Sequence, residues 1–208
     1  NAFFNFPKIL LLTMQGGYLA GNQVGLEMAP AETFDGFYEQ YKMQVEHFIN
    51  EYAETANLAC QFFNEKYKRP LVSSVISGCI DKAQLADEGG AYFWHKCMNS
   101  SGLGTAIDSL VAIYDVVYDK KLKTMDEFVK ILDNDFYGEE AFRLYLVNKL
   151  PKYGNGDPMV DGLAKDFVDF YCAAVSKCKT WNGTPYRPGL YSYYGPSVNY
   201  GIKTGSTP

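Results

Sequence analysis

The sequence has no CxxC spacing, and its five cysteines (Cys60, Cys79, Cys97, Cys172 and Cys178) are odd in number. Those absences argue against a disulfide framework and against a zinc site, and they fit a reducing cytoplasm. Basic residues never run longer than a pair such as Lys120-Lys121, and the formal net charge is −5. Nucleic acid is therefore not an expected partner. No stretch approaches the roughly 18 apolar residues of a membrane span, so no membrane partner is expected. The apolar run Ile9 to Leu12 lacks the charged n-region and small-residue cleavage site of a signal peptide. Internal repeats, low-complexity stretches and linkers are also missing, which predicts a single domain. There is no initiator methionine, and the ends Ala2-Phe3-Phe4-Asn5-Phe6 and Thr204 to Pro208 read as those of a fragment.

What is abundant is apolar and aromatic. Of 208 residues 47% are hydrophobic, and there are 17 tyrosines and 14 phenylalanines, enough for a thick core or an aromatic-lined pocket. Helical periodicity dominates. Pro7 to Met14 predicts a short helix with proline in its first turn, ended by Gly16-Gly17. From Thr33, apolar residues recur every three or four positions from Phe34 through Tyr41, Ile49 and Ala56 to Phe63. This predicts one continuous buried stripe, interrupted by Pro70. Leu71 to Ile80 is apolar and β-branched, and Ala91 to Asn99 reads as extended. Thr105 to Asp108 has the form of a capping box, opening a helix through Val117. Thr124 to Glu127 is a second box, for a helix to Phe136. Helices are also predicted over Glu139–Leu150 and, after the cap Asp157-Pro158, over Met159–Lys177. In the Gly-, Pro- and Tyr-rich tail, Leu190 to Tyr193 reads as a strand.

Taken alone, few residues announce chemistry. His47 lies beside the helical stripe and reads as packing or surface. His95 stands in Tyr92-Phe93-Trp94-His95-Lys96-Cys97-Met98-Asn99, aromatic bulk with polar tips before a glycine-rich turn. Such a corner can line a pocket or form an ordinary sheet edge. Cys79 in Gly78-Cys79-Ile80-Asp81 reads as a small buried thiol rather than a nucleophile. Cys172 and Cys178 do not share a helix face, and Glu139-Glu140 reads as a solvated helix start. No metal ligands are predicted.

Six segments, in order along the chain, resemble the pyruvate formate-lyase-type domain of glycyl radical enzymes. Phe6-Pro7-Lys8-Ile9-Leu10 through Gly16-Gly17 resembles the family's P-K-x-L helix, and Glu88-Gly89-Gly90-Ala91 its E-G-G-A turn. Ala106-Ile107-Asp108-Ser109-Leu110 resembles V-A-D-S-L, and Pro151-Lys152-Tyr153-Gly154-Asn155 with Val160-Asp161 resembles P-K-Y-G-N and V-D. Arg187-Pro188-Gly189-Leu190-Tyr191-Ser192 resembles R-x-G-x-Y-S, and Gly201 to Pro208 the start of G-x-x-T-G-A-T-P. Leu11 stands where the family has Glu, and Gln15-Gly16-Gly17 where it has Asn-Asn-Gly. A Cys-Ile-Asp like that at Cys79 is a structural helix end in the family.

The resemblance implies an α/β fold: part of a ten-stranded barrel with a helix-rich outer layer. It also implies that residues 1–208 are a partial domain between the cysteine loop and the radical glycine loop. No catalytic residue of this chain is then expected. The glycyl radical would be installed in the parent by a radical S-adenosylmethionine iron–sulfur activase, and would pass to a cysteine whose thiyl attacks a small substrate. The implied partners are the remainder of the parent chain, that activating enzyme and a second copy in a homodimer. Phe3, Trp94, His95, Met98 and Asn99 are the pocket residues the resemblance implies. Phe93-Trp94 replaces the Tyr-Asn of dehydratases. That bulk favours an aromatic or apolar carboxylate, as in arylacetate decarboxylases or fumarate-adding enzymes. The alternatives are a polyol or amino-alcohol dehydratase, a formate acetyltransferase, or, outside enzymes, a non-catalytic homologue or helical interaction domain.

Overall fold

The computed structural model describes residues 2–191, with side chains from Phe4 onward. The chain starts in strand β1 (Ala2–Asn5) and turns directly into helix α1 (Phe6–Met14). Asn5 makes that corner possible, because its side chain accepts the amide of Lys8 at 3.1 Å and caps the helix. Gly16 and Gly17 end α1 in left-handed backbone, φ +64° and +99°. At Gly17 only hydrogen fits, since a Cβ would lie 2.1 Å from the Leu26 carbonyl oxygen. A small hairpin, β2 (Tyr18–Leu19) with β3 (Asn22–Gln23), follows. The loop after it is clamped by buried Gln44, which accepts from Leu26 N at 3.0 Å and donates to Leu26 O at 2.6 Å.

Helix α2 (Phe34–Lys66) is the long helix of the periodicity, capped by Thr33, whose hydroxyl accepts the Gly36 amide at 3.2 Å. Its stripe is not buried throughout. Phe37, Tyr38, Tyr41, Gln44, Val45, Ile49 and Ala53 are inside, whereas Leu58, Phe62 and Phe63 are exposed. Helix periodicity persists past the point where the described residues supply a partner. Leu71 to Ile80 also stays at the surface: a five-residue helix α3 (Pro70–Ser74) gives way to turns, with Leu71, Val75 and Ile80 exposed. Cys79 is buried within those turns rather than at a helix end.

Of the extended run Ala91–Asn99, only the last part is strand, β4 (Cys97–Ser101). Gly102, at φ +79°, then turns the chain into α4 (Leu103–Ile113). The box at Thr105 is not the cap: the helix already begins at Leu103, and Gly102 holds the cap position without a side chain. Gly102 is needed there for a second reason, as a Cβ would lie 2.6 Å from the Pro7 ring. Asp108 is used elsewhere, accepting the Tyr153 amide at 2.7 Å. A π-helical turn, Tyr114–Asp119, extends α4. Its Asp115 carboxylate accepts from Lys120 Nζ at 2.6 Å and from Tyr145 OH at 2.7 Å.

Helix α5 (Met125–Asp133) starts at the Thr124–Glu127 box as predicted. It ends before Phe136 because Asp135 and Phe136 take positive φ. Helices α6 (Glu140–Lys149) and α7 (Pro158–Lys177) follow, α7 capped by Asp157 through the amides of Met159 and Val160. Strand β5 (Arg187–Tyr191) closes the described chain. The predicted strand Leu190–Tyr193 therefore begins earlier than expected; Ser192, Tyr193 and the motif Gly201 to Pro208 lie outside the described residues.

The strands β1, β4 and β5 form one parallel sheet in the order β1-β4-β5. Helices α1, α2, α4 and α7 pack together over it, joined by aromatic side chains. Phe6 meets Phe167 edge-on at 4.9 Å, and Tyr41 stacks on Phe167 at 5.2 Å. Buried tyrosines also spend their hydroxyls on backbone: Tyr41 donates to Phe6 O at 3.1 Å and Tyr171 to Met98 O at 2.7 Å.

Candidate functional site

The register of the sheet sorts its residues into two faces, because paired residues in neighbouring strands share a face and successive residues alternate. Phe4, Ser100 and Leu190 form one row across the three strands. Phe4 meets Tyr52 of α2 and Tyr171 of α7 edge-on at 5.9 and 6.5 Å, so this row faces the helices. One residue earlier, Phe3, Asn99 and Gly189 pair in register. Asn99 and Gly189 belong to the face turned away from the helices.

Asn99 is only 5% exposed, yet among the described residues the buried side-chain polar atom without a hydrogen-bond partner is Trp181 Nε1. Ser100 donates to Gly189 O at 3.1 Å, Ser101 to Phe4 O at 3.5 Å, and the Met98 carbonyl takes the Tyr171 hydroxyl. The Asn99 amide lies over Gly189, its Oδ1 2.3 Å from where a Cβ would stand, so glycine makes room for it.

The other residues singled out in the sequence are placed differently. Phe3 reaches the row through its backbone pairing with Asn99. Met98 is fully buried on the helix-facing side of β4, so Met98 and Asn99, adjacent in sequence, serve opposite faces. Trp94 is half-buried and His95 exposed in the connection leading to β4. Trp94 precedes β4 and is not part of the strand that carries Asn99. Phe93 is 93% exposed and walls nothing in the described structure. Lys96, next in the chain, contacts the Cys60 thiol and accepts the Arg187 amide on its carbonyl at 2.9 Å, joining β4 to β5. Gly189 was not singled out as a site residue; its signal was the R-x-G-x-Y-S motif, whose glycine carries no chemistry of its own.

Two surface grooves lie elsewhere. One, of 830 Å³, runs between the 28–33 loop, the start of α2, the π turn and the start of α5, with Phe34, Tyr114, Tyr118 and Glu127 in its wall. The other, of 570 Å³, is lined by α1, the hairpin and α5. Neither includes any residue of the Phe3–Asn99–Gly189 row. Among the described residues no group of three His, Cys, Asp or Glu side chains could hold a metal ion. No helix among them is long and apolar enough to cross a membrane.

The family model for pyruvate formate lyase-like proteins matches residues 1–200. The chain is 33% identical over 190 residues to the trans-4-hydroxy-L-proline dehydratase of Clostridioides difficile, covering 89% of this chain and 24% of that protein. It is 29% identical over 212 residues to the (2S)-3-sulfopropanediol dehydratase of Klebsiella oxytoca, covering 99% and 26%. The glycerol-bound B12-independent glycerol dehydratase of Clostridium butyricum superposes with a TM-score of 0.89 at 32% identity, over 99% of this chain and 26% of that one. The chain thus spans about a quarter of the length of the proteins it matches. The strands and helices described above are, by this superposition, part of the barrel and outer helical layer of that fold. These relatives are dehydratases, which overturns the preference for arylacetate decarboxylase-like or fumarate-adding chemistry. That preference rested on Phe93-Trp94 as a bulky wall, and Phe93 points into solvent.

Proposed function

The chain belongs to the pyruvate formate lyase-like family of glycyl radical enzymes, and on that premise we propose that it is one segment of a dehydratase acting on a small hydroxyl-bearing substrate. The observation that carries the reading is the match of nearly the whole chain to dehydratases, with about a quarter of their length covered. In this reading the cysteine loop and the radical glycine are supplied by the remainder of a longer polypeptide. A separate radical S-adenosylmethionine activase generates the glycyl radical, and the intact enzyme works as a cytoplasmic homodimer. The thiyl would abstract a hydrogen atom from a carbon bearing a hydroxyl or amine, and the C–O bond on the neighbouring carbon would break. Its oxygen would leave as water with the proton released by that hydroxyl or amine as it becomes C=O or C=N, and the product radical would recover its hydrogen from the thiol.

This segment contributes a wall of the cavity rather than the reacting groups. Strands β1, β4 and β5 present the row Phe3, Asn99 and Gly189, while the connection before β4 brings Trp94 and His95 to the rim. Met98 holds β4 against α7 from behind. The test uses the full-length polypeptide, activated anaerobically by its activase. Electron paramagnetic resonance should show the glycyl doublet, and a panel of glycerol, trans-4-hydroxy-L-proline and (2S)-3-sulfopropanediol should contain a substrate that loses water. The 208-residue chain treated in the same way should give no doublet. Absence of the doublet in the full-length protein would refute the radical reading. A Trp94→Ala variant should keep its fold and change relative rates across the panel.

A further inference from the structure

We propose that Cys60 and Lys96 form a redox modification site, in which peroxide oxidises the thiol and the lysine amine captures it as a reversible N–S cross-link. The link joins α2 to the start of β4, and it needs neither the cavity nor the radical. Lys96 Nζ contacts Cys60 Sγ directly. The ion pairs among the described residues use other lysines, such as Lys68, Lys120 and Lys177, and leave Lys96 to the thiol. Both side chains are half-buried, sheltered from bulky reagents and open to a molecule as small as peroxide. Neither is loosely held. Cys60 lies three residues after Asn57, on the same face of α2. Asn57 donates to Lys179 O at 2.9 Å and accepts from Trp181 N and Tyr186 OH, each at 3.0 Å. The Lys96 carbonyl accepts the Arg187 amide at 2.9 Å. With the backbone fixed on both sides, amine and sulfur meet without a conformational search. The other cysteines are placed differently. Cys79 is buried, and the Cys178 sulfur meets carbonyl oxygens, Asn50 Oδ1 at 3.6 Å and Ala174 O at 3.7 Å.

The oxidant is hydrogen peroxide, and the steps balance with one equivalent of it. The Cys60 thiolate attacks one peroxide oxygen; an S–O bond forms, the O–O bond breaks, and the departing hydroxide takes up the thiol proton as water. The sulfur has then given two electrons to the peroxide and stands as a sulfenic acid. Lys96 releases one proton to solvent and attacks that sulfur through its nitrogen lone pair. The N–S bond forms, the S–O bond breaks, and hydroxide leaves with a second amine proton as water. Thiol, ammonium and peroxide thus give the cross-link, two waters and one proton. A thiol reductant attacks the linked sulfur and frees the amine. Capture matters because an uncaptured sulfenic acid is oxidised onward to sulfinic acid, which simple thiols do not reverse. The link also closes a loop of chain between positions 36 apart, which restrains the unfolded state.

The experiment treats the full-length polypeptide, without activation, with hydrogen peroxide and maps its peptides by mass spectrometry. The Cys60 and Lys96 peptides should appear as one linked pair, lighter by two hydrogens than their sum, and dithiothreitol should release them. Iodoacetamide labelling of Cys60 should be lost after peroxide and return on reduction, and the melting temperature should rise and fall with the link. Lys96→Arg keeps the positive charge but should give no link. Its Cys60 should instead run on to sulfinic acid that dithiothreitol does not restore. Cys60→Ser should show neither the link nor the rise in melting temperature. Separate peptides in the peroxide-treated unsubstituted protein, or its Cys60 found as sulfinic acid beside an unmodified Lys96, would overturn the site. So would a Cys60 that meets the same fate in Lys96→Arg as in the unsubstituted protein, since the contact would then be packing alone. If either variant fails to fold, the unsubstituted peptide map decides by itself. None of these outcomes bears on the dehydratase reading.

Discussion

Buried tyrosines do two jobs in this protein, filling the core with a ring and closing a backbone carbonyl or side chain with a hydroxyl. Tyr41 reaches Phe6 O, Tyr171 reaches Met98 O, Tyr186 reaches Asn57 Oδ1 at 3.0 Å and Tyr38 reaches Asp166 at 2.9 Å. Burial disfavours the phenolate, so each of these hydroxyls ionises above its ordinary range. For Tyr186 burial, with a smaller push from Tyr52, raises the pKa from 10.0 to about 12. A pKa raised by folding means stability that is complete below pH 10 and is lost as the pH climbs towards about 12. The protein should therefore be alkali-labile in that window, with its denaturant midpoint falling steadily. Tyr186→Phe, which has nothing to ionise, should flatten part of that fall. A wild-type midpoint level up to pH 12, or an identical slope in Tyr186→Phe, would sink the argument.

Among the elements, the helix starts show where local chemistry decides and where it does not. At α5, Thr124 accepts the Glu127 amide at 3.3 Å, and Glu127 returns to the Thr124 amide at 2.8 Å. That backbone hydrogen bond, with the hydroxyl of Thr124, holds the Glu127 carboxyl below its usual range. Thr124→Ala should cost about 1 kcal/mol and slow no chemistry, which denaturant unfolding beside an activity assay would check; a loss below a few tenths of a kcal/mol would mean the cap is solvent-replaced. At α4 the same sequence form at Thr105 goes unused. The chain must turn from β4 into the helix beside Pro7, and only Gly102 fits that approach.

The whole molecule carries more apolar surface than its described residues cover. Leu71, Val75 and Phe93 are 85%, 84% and 93% exposed, and Phe62, Phe63 and Ile80 join them around the end of α2. Among the described residues both β1 and β5 are edges of the sheet. Exposed patches of several hundred Å² mark a missing partner or a tendency to aggregate, and covering them returns roughly 25 cal/mol per Å². At micromolar concentration the 208-residue chain alone should sediment as oligomers. A single compact monomer with a cooperative melt would show that these surfaces need no partner.

Much of the architecture follows from sequence alone, because it depends on near neighbours. Helices α1, α2, α5, α6 and α7 announce themselves by three-to-four-residue periodicity and by caps at Thr33, Thr124 and Asp157, each within a turn of what it stabilises. The ordered motifs likewise carried the family, since each reads within a dozen residues. Burial and register depend on residues far apart in the chain. Local periodicity cannot tell that α2 has a partner at Ile49 and none at Phe63. Nor can it tell that Thr105 is bypassed, or that the extended run is strand only from Cys97. The candidate site divides the same way. Asn99 was legible as a polar residue in an aromatic run, but its opposition to Gly189 joins positions 90 residues apart. Only the pairing of β4 with β5 places that glycine beneath the amide.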